Sequence, residues 1–187
     1  SNYRGNSNSE GKEEFGGSDV NDVINLVPAL GQIDEADTSR IGMVGVSRGG
    51  MMAYLALKQI CNIKAVAVIG GLSDLFIMKA MRPELESHVY TSIIPDYDNS
   101  TETVLTQRSA NKWVEEMCQV PLLMLHGSKD KSCDVSMARE LHDELKKVQY
   151  PHTYMEFAKG NHGLSKYEVM VTGLITGWLD KYVKNGE

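Results

Sequence analysis

Ser47 lies in the pentapeptide Gly45–Gly49, whose spacing of glycine, serine and glycine is that of a nucleophile elbow. The apolar, β-branched run before it predicts a strand, and the run after it predicts a helix. A turn this sharp strains the serine, and we expect a side chain at Gly45 or Gly49 to collide with nearby backbone. The backbone N–H of Arg48 would donate to an oxyanion. Ser47 is therefore predicted to be a nucleophile.

A serine hydroxyl needs a base to become nucleophilic, and the base needs an acid that orients it. Where a nucleophile elbow supplies the serine, the order along the chain is serine, acid, histidine. Asp130 follows the apolar run Val120–Leu125, which predicts a buried parallel strand, and open α/β sheets build their sites at such strand ends. Asp134 is the alternative acid, but it precedes a helix predicted over residues 136–148 and suits an N-cap there.

The base is predicted to be His162, which lies next to a glycine in a loop after the strand predicted over His152–Phe157. A histidine in that loop could reach both Ser47 and Asp130. We expect a final amphipathic helix from about Lys166 to Val183. Ordinary surface or structural roles are expected for the other histidines, which are His88, His126, His142 and His152.

With these residues the chain resembles the catalytic domain of prolyl oligopeptidase-type serine peptidases. The similarity rests on the elbow through Gly50, on the turn His126–Asp130 with Val135 after it, and on the loop Asn161–Gly163. Further shared positions are Tyr3, Arg4, Gly5, Asn6, Phe15, Gly16, Gly17, Asp19, Asp22, Asp37, Arg40, Ile41, Gly42, Arg108 and Ser109. The resemblance covers nearly the whole chain, although dienelactone-hydrolase-like and acetyl-esterase-like relatives share most of these motifs.

The resemblance implies an α/β fold of the α/β-hydrolase type, a three-layer sandwich that is truncated here. Family members carry several strands before the tyrosine-arginine-glycine segment. This chain is expected to keep strands five to eight as a mostly parallel sheet, over about residues 40–46, 63–69, 121–126 and 152–157. The strand before Ser47 would lose its usual partner, and copies of the chain could then associate through that edge into a homo-oligomer.

The length of 187 residues predicts one partial domain, residues 1–187. Residues 1–18 are rich in glycine, asparagine, serine and charge, and we expect them to form a loop. Residues 19–31 are predicted to form a helix capped by Ser18 or Asp19. Residues 71–116 form the long excursion between strands that in this fold commonly becomes a lid over the site.

Composition limits the binding partners and the cellular compartment that can be expected for this chain. A net charge of −6 argues against nucleic acid and anionic membranes, and no apolar run reaches bilayer length. The three cysteines, Cys61, Cys118 and Cys133, are odd in number and far apart, so we predict neither a zinc site nor a disulfide framework. A cytoplasmic location fits such cysteines best, and no metal or other cofactor is expected.

The predicted function is a serine peptidase that cleaves small peptides through an acyl-enzyme. The first alternative is a carboxylesterase or dienelactone-hydrolase-like enzyme that uses the same machinery on small esters. The second is a fragment with little activity that is stable only as an oligomer. In this fold one oxyanion donor comes from a loop after the third strand, and this chain is expected to lack that loop. Losing such a donor costs about 10²–10³ in rate. We therefore expect the chain to assemble the triad but to hydrolyse its substrate slowly.

Overall fold

The computed structural model describes residues 2–186, which are built around a sheet of four parallel strands. Their spatial order follows the sequence: β1 (Gly42–Val46), β2 (Ala65–Ile69), β3 (Leu122–Gly127) and β4 (His152–Phe157). The four predicted strands are confirmed, and the sheet is wholly parallel. β2 and β3 lie at its centre and are almost entirely buried, which explains their continuous apolar sequences.

Helices precede, connect and follow the strands. In chain order they are α1 (Asn21–Ile24), α2 (Leu26–Leu30), α3 (Arg48–Leu57), α4 (Leu75–Met81), α5 (Thr91–Ile93), α6 (Tyr97–Gln107), α7 (Val135–Lys147) and α8 (Glu168–Leu179). Because none of the helices within residues 2–186 is both long and apolar enough, none could cross a membrane.

The two faces of the sheet are covered by different helices. Val66 and Val68 of β2 belong to the larger core with buried residues of α3 and α7. Ala67 and Leu123 belong to a smaller core together with Val171 of α8. Successive strand residues point to opposite faces, so this division places α3 and α7 on one side and α8 on the other. The three-layer α/β arrangement is therefore confirmed.

Two predicted helices are found close to their expected bounds. The Asp134 carboxylate accepts the N–H of Ser136 at 2.9 Å and caps α7, as predicted. The last helix is shorter than residues 166–183, because a 3₁₀ turn (Ser165–Tyr167) precedes α8 and a π-helical turn (Asp180–Lys184) follows it.

The single helix predicted over residues 19–31 is wrong. That segment is a 3₁₀ turn (Ser18–Val20) followed by α1 and α2, and neither Ser18 nor Asp19 caps it with a side chain. Pro28 explains the interruption, since it has no N–H to donate to the carbonyl one turn earlier. The Asp19 carboxylate accepts the N–H of Gly16 at 2.9 Å instead.

No disulfide framework was predicted, and that expectation is wrong in one respect, because Cys61 and Cys118 form a disulfide. They are 57 residues apart in sequence, but their Cα atoms lie 5.2 Å apart. Cys61 precedes β2 and Cys118 precedes β3, so the pairing of these two strands brings the cysteines together. Disulfides persist mainly in oxidising compartments, so the cysteines no longer support a cytoplasmic location.

Residues 71–116 pack into the protein. Asp74 caps α4 by accepting the N–H groups of Phe76 and Ile77, at 2.7 and 3.0 Å. Tyr90 and Tyr97 are buried in the larger core. The role of this region as a lid stays a prediction.

The β1 edge remains open, as expected from the sequence. Within residues 2–186, β1 pairs only with β2, and Val44 and Val46 are 48% and 49% exposed. Their register partners in β2 are Ala67 and Ile69, so both valines lie on the α8 face, which α8 leaves partly uncovered here.

If this edge mediates self-association, size-exclusion chromatography should show a species larger than a monomer that grows with concentration. Replacing Val46 with lysine should shift the protein toward the monomer, because a charge on an open edge disfavours strand pairing. A wild-type chain that stays monomeric at every concentration would contradict the prediction.

Candidate active site

Ser47 occupies the turn between β1 and α3 in a strained backbone conformation. Its φ is 56° and its ψ is −121°, values that residues with a side chain rarely adopt. The Ser47 N–H donates to the carbonyl of Ile69 at 2.9 Å, and its own carbonyl accepts the N–H of Gly50 at 2.9 Å. These hydrogen bonds hold the turn against the end of β2 and help to offset the conformational strain at Ser47.

The glycines around Ser47 serve different purposes. A Cβ at Gly45 would lie 2.4 Å from the carbonyl oxygen of Gly49, so only glycine fits there. A Cβ at Gly50 would lie 2.6 Å from Val68 and 2.7 Å from Gly71, so this glycine lets α3 pack against the end of β2. A Cβ at Gly49 would meet no atom within 4 Å, and the collision expected there is not found.

Asp130 and His162 meet in the loops that follow β3 and β4. The Asp130 Oδ2 atom lies 2.8 Å from His162 Nδ1, and Oδ1 accepts the N–H groups of Ser132 and Cys133 at 2.8 and 2.9 Å. Burial alone would raise the pKa of Asp130, but hydrogen bonds from His126, His162 and the two N–H groups hold this pKa well below its usual range. The charged carboxylate favours a proton on Nδ1 of His162, which leaves Nε2 free to act as a base.

Gly70 is the point at which the three predicted residues converge. It follows Ile69, whose carbonyl accepts the Ser47 N–H, and its φ is +53°. A Cβ there would lie 3.1 Å from His162 Nδ1 and 3.2 Å from Asp130 Oδ2. Asp130 and His162 therefore pack so closely on Gly70 that a side chain there would have to push them aside by a few tenths of an ångström.

A second glycine contact joins the loops of the acid and the base. A Cβ at Gly127 would lie 2.4 Å from the carbonyl oxygen of Gly160. The N–H of Lys129 donates to that same carbonyl at 2.9 Å, and the N–H of Ser128 donates to the carbonyl of Phe157 at 2.9 Å. The two loops thus pack backbone against backbone, which fixes Asp130 relative to His162.

The Ser47 hydroxyl lies beside the buried thiol of Cys133. Burial raises the pKa of Cys133 to about 12, with a smaller upward contribution from Asp130, and the nearby Ser47 hydroxyl opposes both. The thiol is therefore neutral. Across the described residues, no hydrogen bond joins Ser47 Oγ to the ring of His162. Contacts of this kind often tighten only when substrate binds.

Arg48 begins α3, so its backbone N–H has no partner within the helix and is available to an oxyanion. Its guanidinium pairs with Glu13 and, at 2.9 Å, with Asp19. It also lies 5.0 and 4.8 Å from the ring centroids of Tyr3 and Phe15. The Arg48 side chain therefore anchors the segment before β1 to the elbow.

The remaining sequence candidates make other contacts. Asp134 caps α7, and His88 lies 2.8 Å from the carbonyl of Glu84. His142 Nδ1 and His152 Nε2 lie 2.7 Å apart. Within residues 2–186, no group of three or more His, Cys, Asp or Glu side chains is placed to hold a metal ion.

Two residues that sequence reasoning did not connect with the site belong to it. His126, expected to be structural, lies against Asp130 with its Nε2 3.3 Å from Oδ2. The sequence feature that could have indicated this role is the pair of histidine and glycine at the end of a predicted strand. For Gly70 the indicative feature is the pair of glycines directly after β2, because adjacent glycines often mark a place where another segment approaches the backbone closely.

Comparison with known proteins places this geometry in a family. A sequence model of the prolyl oligopeptidase family, Peptidase_S9, matches residues 1–186. The chain is 29% identical over 150 residues to the uncharacterized peptidase YtmA of Bacillus subtilis (strain 168), covering 80% of this chain and 58% of YtmA. It is 25% identical over 178 residues to dipeptidyl-peptidase 5 of Porphyromonas gingivalis, covering 91% of this chain and 26% of that protein.

Solved structures show the same fold. A puromycin-hydrolyzing peptidase of Mycobacterium tuberculosis superposes with a TM-score of 0.80 at 24% identity, over 91% of this chain and 26% of that one. An acylaminoacyl peptidase in complex with Z-Gly-Gly-Phe-chloromethyl ketone gives a TM-score of 0.80 at 24% identity, over 92% of this chain and 29% of that one. The chain thus spans only part of the length of these proteins, and it belongs to the prolyl oligopeptidase family.

Proposed function

We propose that this chain carries the catalytic triad of a serine peptidase, with Ser47 as nucleophile, His162 as base and Asp130 as the orienting acid. The contact that carries the proposal is the 2.8 Å hydrogen bond between His162 Nδ1 and Asp130 Oδ2, made by a buried, charged carboxylate. The strained backbone of Ser47 supports its role as nucleophile. The order of the three residues along the chain is the order of the α/β-hydrolase triad.

In the acylation step, Ser47 Oγ attacks the carbonyl carbon of the scissile peptide bond while His162 Nε2 takes the hydroxyl proton. The carbonyl oxygen becomes an oxyanion, which accepts the N–H of Arg48. The intermediate then collapses: the carbon–nitrogen bond breaks, and the leaving amine takes the proton from His162 Nε2. Asp130 keeps its negative charge throughout and stabilises the imidazolium.

In the deacylation step, a water molecule attacks the carbonyl carbon of the acyl-enzyme. His162 Nε2 takes a proton from the water and returns it to Ser47 Oγ as the ester bond breaks. The products are an amine and a carboxylic acid, and the chain regains its starting protonation state. No metal or cofactor is required by these steps.

A peptide substrate is favoured over a small ester because the family and the relatives named above are peptidases. The same triad would also hydrolyse small esters, since esters have better leaving groups than amides. Comparing kcat/KM for a peptide amide with kcat/KM for p-nitrophenyl acetate distinguishes the peptidase hypothesis from the carboxylesterase hypothesis. Ester hydrolysis with no detectable amide hydrolysis would favour the carboxylesterase alternative.

A fluorophosphonate probe tests the triad itself, because its reaction requires an activated serine and no particular substrate pocket. We expect mass spectrometry to find the probe on Ser47 and on no peptide of Ser47→Ala. Ser92→Ala, which changes an exposed serine in α5, is the matched control and should label like the wild type. A wild-type chain that resists labelling, or a Ser47→Ala variant that still labels, would overturn the proposal.

A further inference from the structure

Asp130 is bound by two histidine rings. His162 Nδ1 lies 2.8 Å from Oδ2, and His126 Nε2 lies 3.3 Å from the same oxygen. The two rings differ in exposure, because the side chain of His126 is 2% exposed and that of His162 is 28% exposed. His126 is therefore sealed behind the acid, while His162 faces the space where a substrate would bind.

The hydrogen bonds of His126 determine which of its atoms carries a proton. Its Nε2 lies 2.9 Å from the carbonyl oxygen of Cys133 as well as 3.3 Å from Asp130 Oδ2. Both neighbours are acceptors, so Nε2 must carry a hydrogen, which it donates to the nearer carbonyl of Cys133. The N–H of Cys133 in turn donates to Asp130 Oδ1. His126 thus links to Asp130 both through Cys133 and through its own 3.3 Å contact with Oδ2.

The charged groups around His126 come from three directions. Asp130 lies in the loop after β3, Asp134 caps α7, and Glu156 is the register partner of His126 in β4. Arg139 of α7 pairs with Glu156 at 2.7 Å and offsets its charge. Asp130 is the carboxylate within hydrogen-bonding reach of His126.

We propose that His126 is a positioning residue for the acid of the triad. Its Nε2–H, bonded to the Cys133 carbonyl and 3.3 Å from Asp130 Oδ2, holds that oxygen on His162 Nδ1. This inference rests on the proposed function. It assigns His126 no contact with substrate, and its effect would reach Ser47 only through Asp130 and His162.

Two substitutions separate the donor from the bulk of the side chain. His126→Leu fills the space without a donor, so Asp130 Oδ2 should shift away from His162 Nδ1. We expect labelling of Ser47 to slow by about 10–100-fold, since a displacement near 1 Å can cost about 10² in rate. The acid limb of the pH profile should move to lower pH, because a displaced carboxylate stabilises the imidazolium of His162 less.

His126→Gln is the matched control, because its side-chain nitrogen stands as many bonds from Cα as Nε2 of histidine. It should restore most of the rate and the position of the acid limb. His126→Asn places its nitrogen too close to the backbone to reach Asp130 and should behave like the leucine variant. A purely structural role would lower stability in these variants without moving the acid limb.

The experiment measures the rate of fluorophosphonate labelling against pH, together with an NMR titration of the His162 ring. A folded leucine variant with unchanged pH midpoints would overturn the proposal. If the leucine variant does not fold, the comparison of glutamine with asparagine decides it, and equal midpoints for these two would overturn it. The NMR titration remains informative even if Ser47 cannot be labelled, so a failure of the proposed function is distinguishable from a failure of this inference.

Discussion

Asp130→Asn is expected to lower the turnover of a peptide amide, or the rate of fluorophosphonate labelling, by about 10⁴-fold. The asparagine still presents an oxygen to the N–H groups of Ser132 and Cys133, which now bind Oδ1. Its amide nitrogen would then face Nδ1 of His162 and donate to it. That contact selects the tautomer with its proton on Nε2, and a protonated Nε2 cannot accept the Ser47 proton.

Asp134→Asn is the matched control for this substitution. Asp134 caps α7 through its side-chain oxygen, and asparagine caps helices about as well as aspartate does. We therefore expect the rate of labelling to change by less than about threefold, because asparagine keeps the cap of α7 in place. A severe loss in Asp134→Asn with a mild effect in Asp130→Asn would reverse the assignment of the acid.

The elements that position the site were largely predictable from the sequence because their signals are local. The apolar runs before Ser47 and Asp130 could bury their backbone only as strands of a covered sheet. Parallel strands align their carboxyl ends, so the loops after β1, β3 and β4 had to meet along one edge. The order of serine, acid and histidine then followed from the order of the strands.

What the sequence did not show depends on contacts between distant elements. The disulfide between Cys61 and Cys118 forms because β2 and β3 are neighbours in the sheet. The spacing of the two cysteines along the chain does not indicate that these strands pair. The contact of His126 with Asp130 depends on the path of the loop after β3. The room around Gly49 depends on what packs against the elbow, and the described residues leave that side open.

Gly70→Ala is expected to slow the site without replacing any of its side chains. The new Cβ would lie 3.1 Å from His162 Nδ1 and 3.2 Å from Asp130 Oδ2, so these groups must shift by a few tenths of an ångström. We expect labelling of Ser47 to slow by about tenfold, less than the roughly 10² that a misplacement of 1 Å costs. The φ of +53° adds strain, and urea unfolding should show a loss of about 1–3 kcal/mol in stability.

Gly163→Ala is the control that separates this steric effect from a general sensitivity of the site to added methyl groups. Gly163 adjoins His162, but a Cβ there would meet no atom within 4 Å, and its φ lies outside the left-handed region. Its labelling rate should stay close to that of the wild type. Equal rates for Gly70→Ala and the wild type, in a protein that unfolds at the wild-type urea concentration, would show that the acid and base do not close over Gly70. The arrangement of Asp130 and His162 proposed for catalysis would then need revision, because Gly70 packs against both atoms of their 2.8 Å contact.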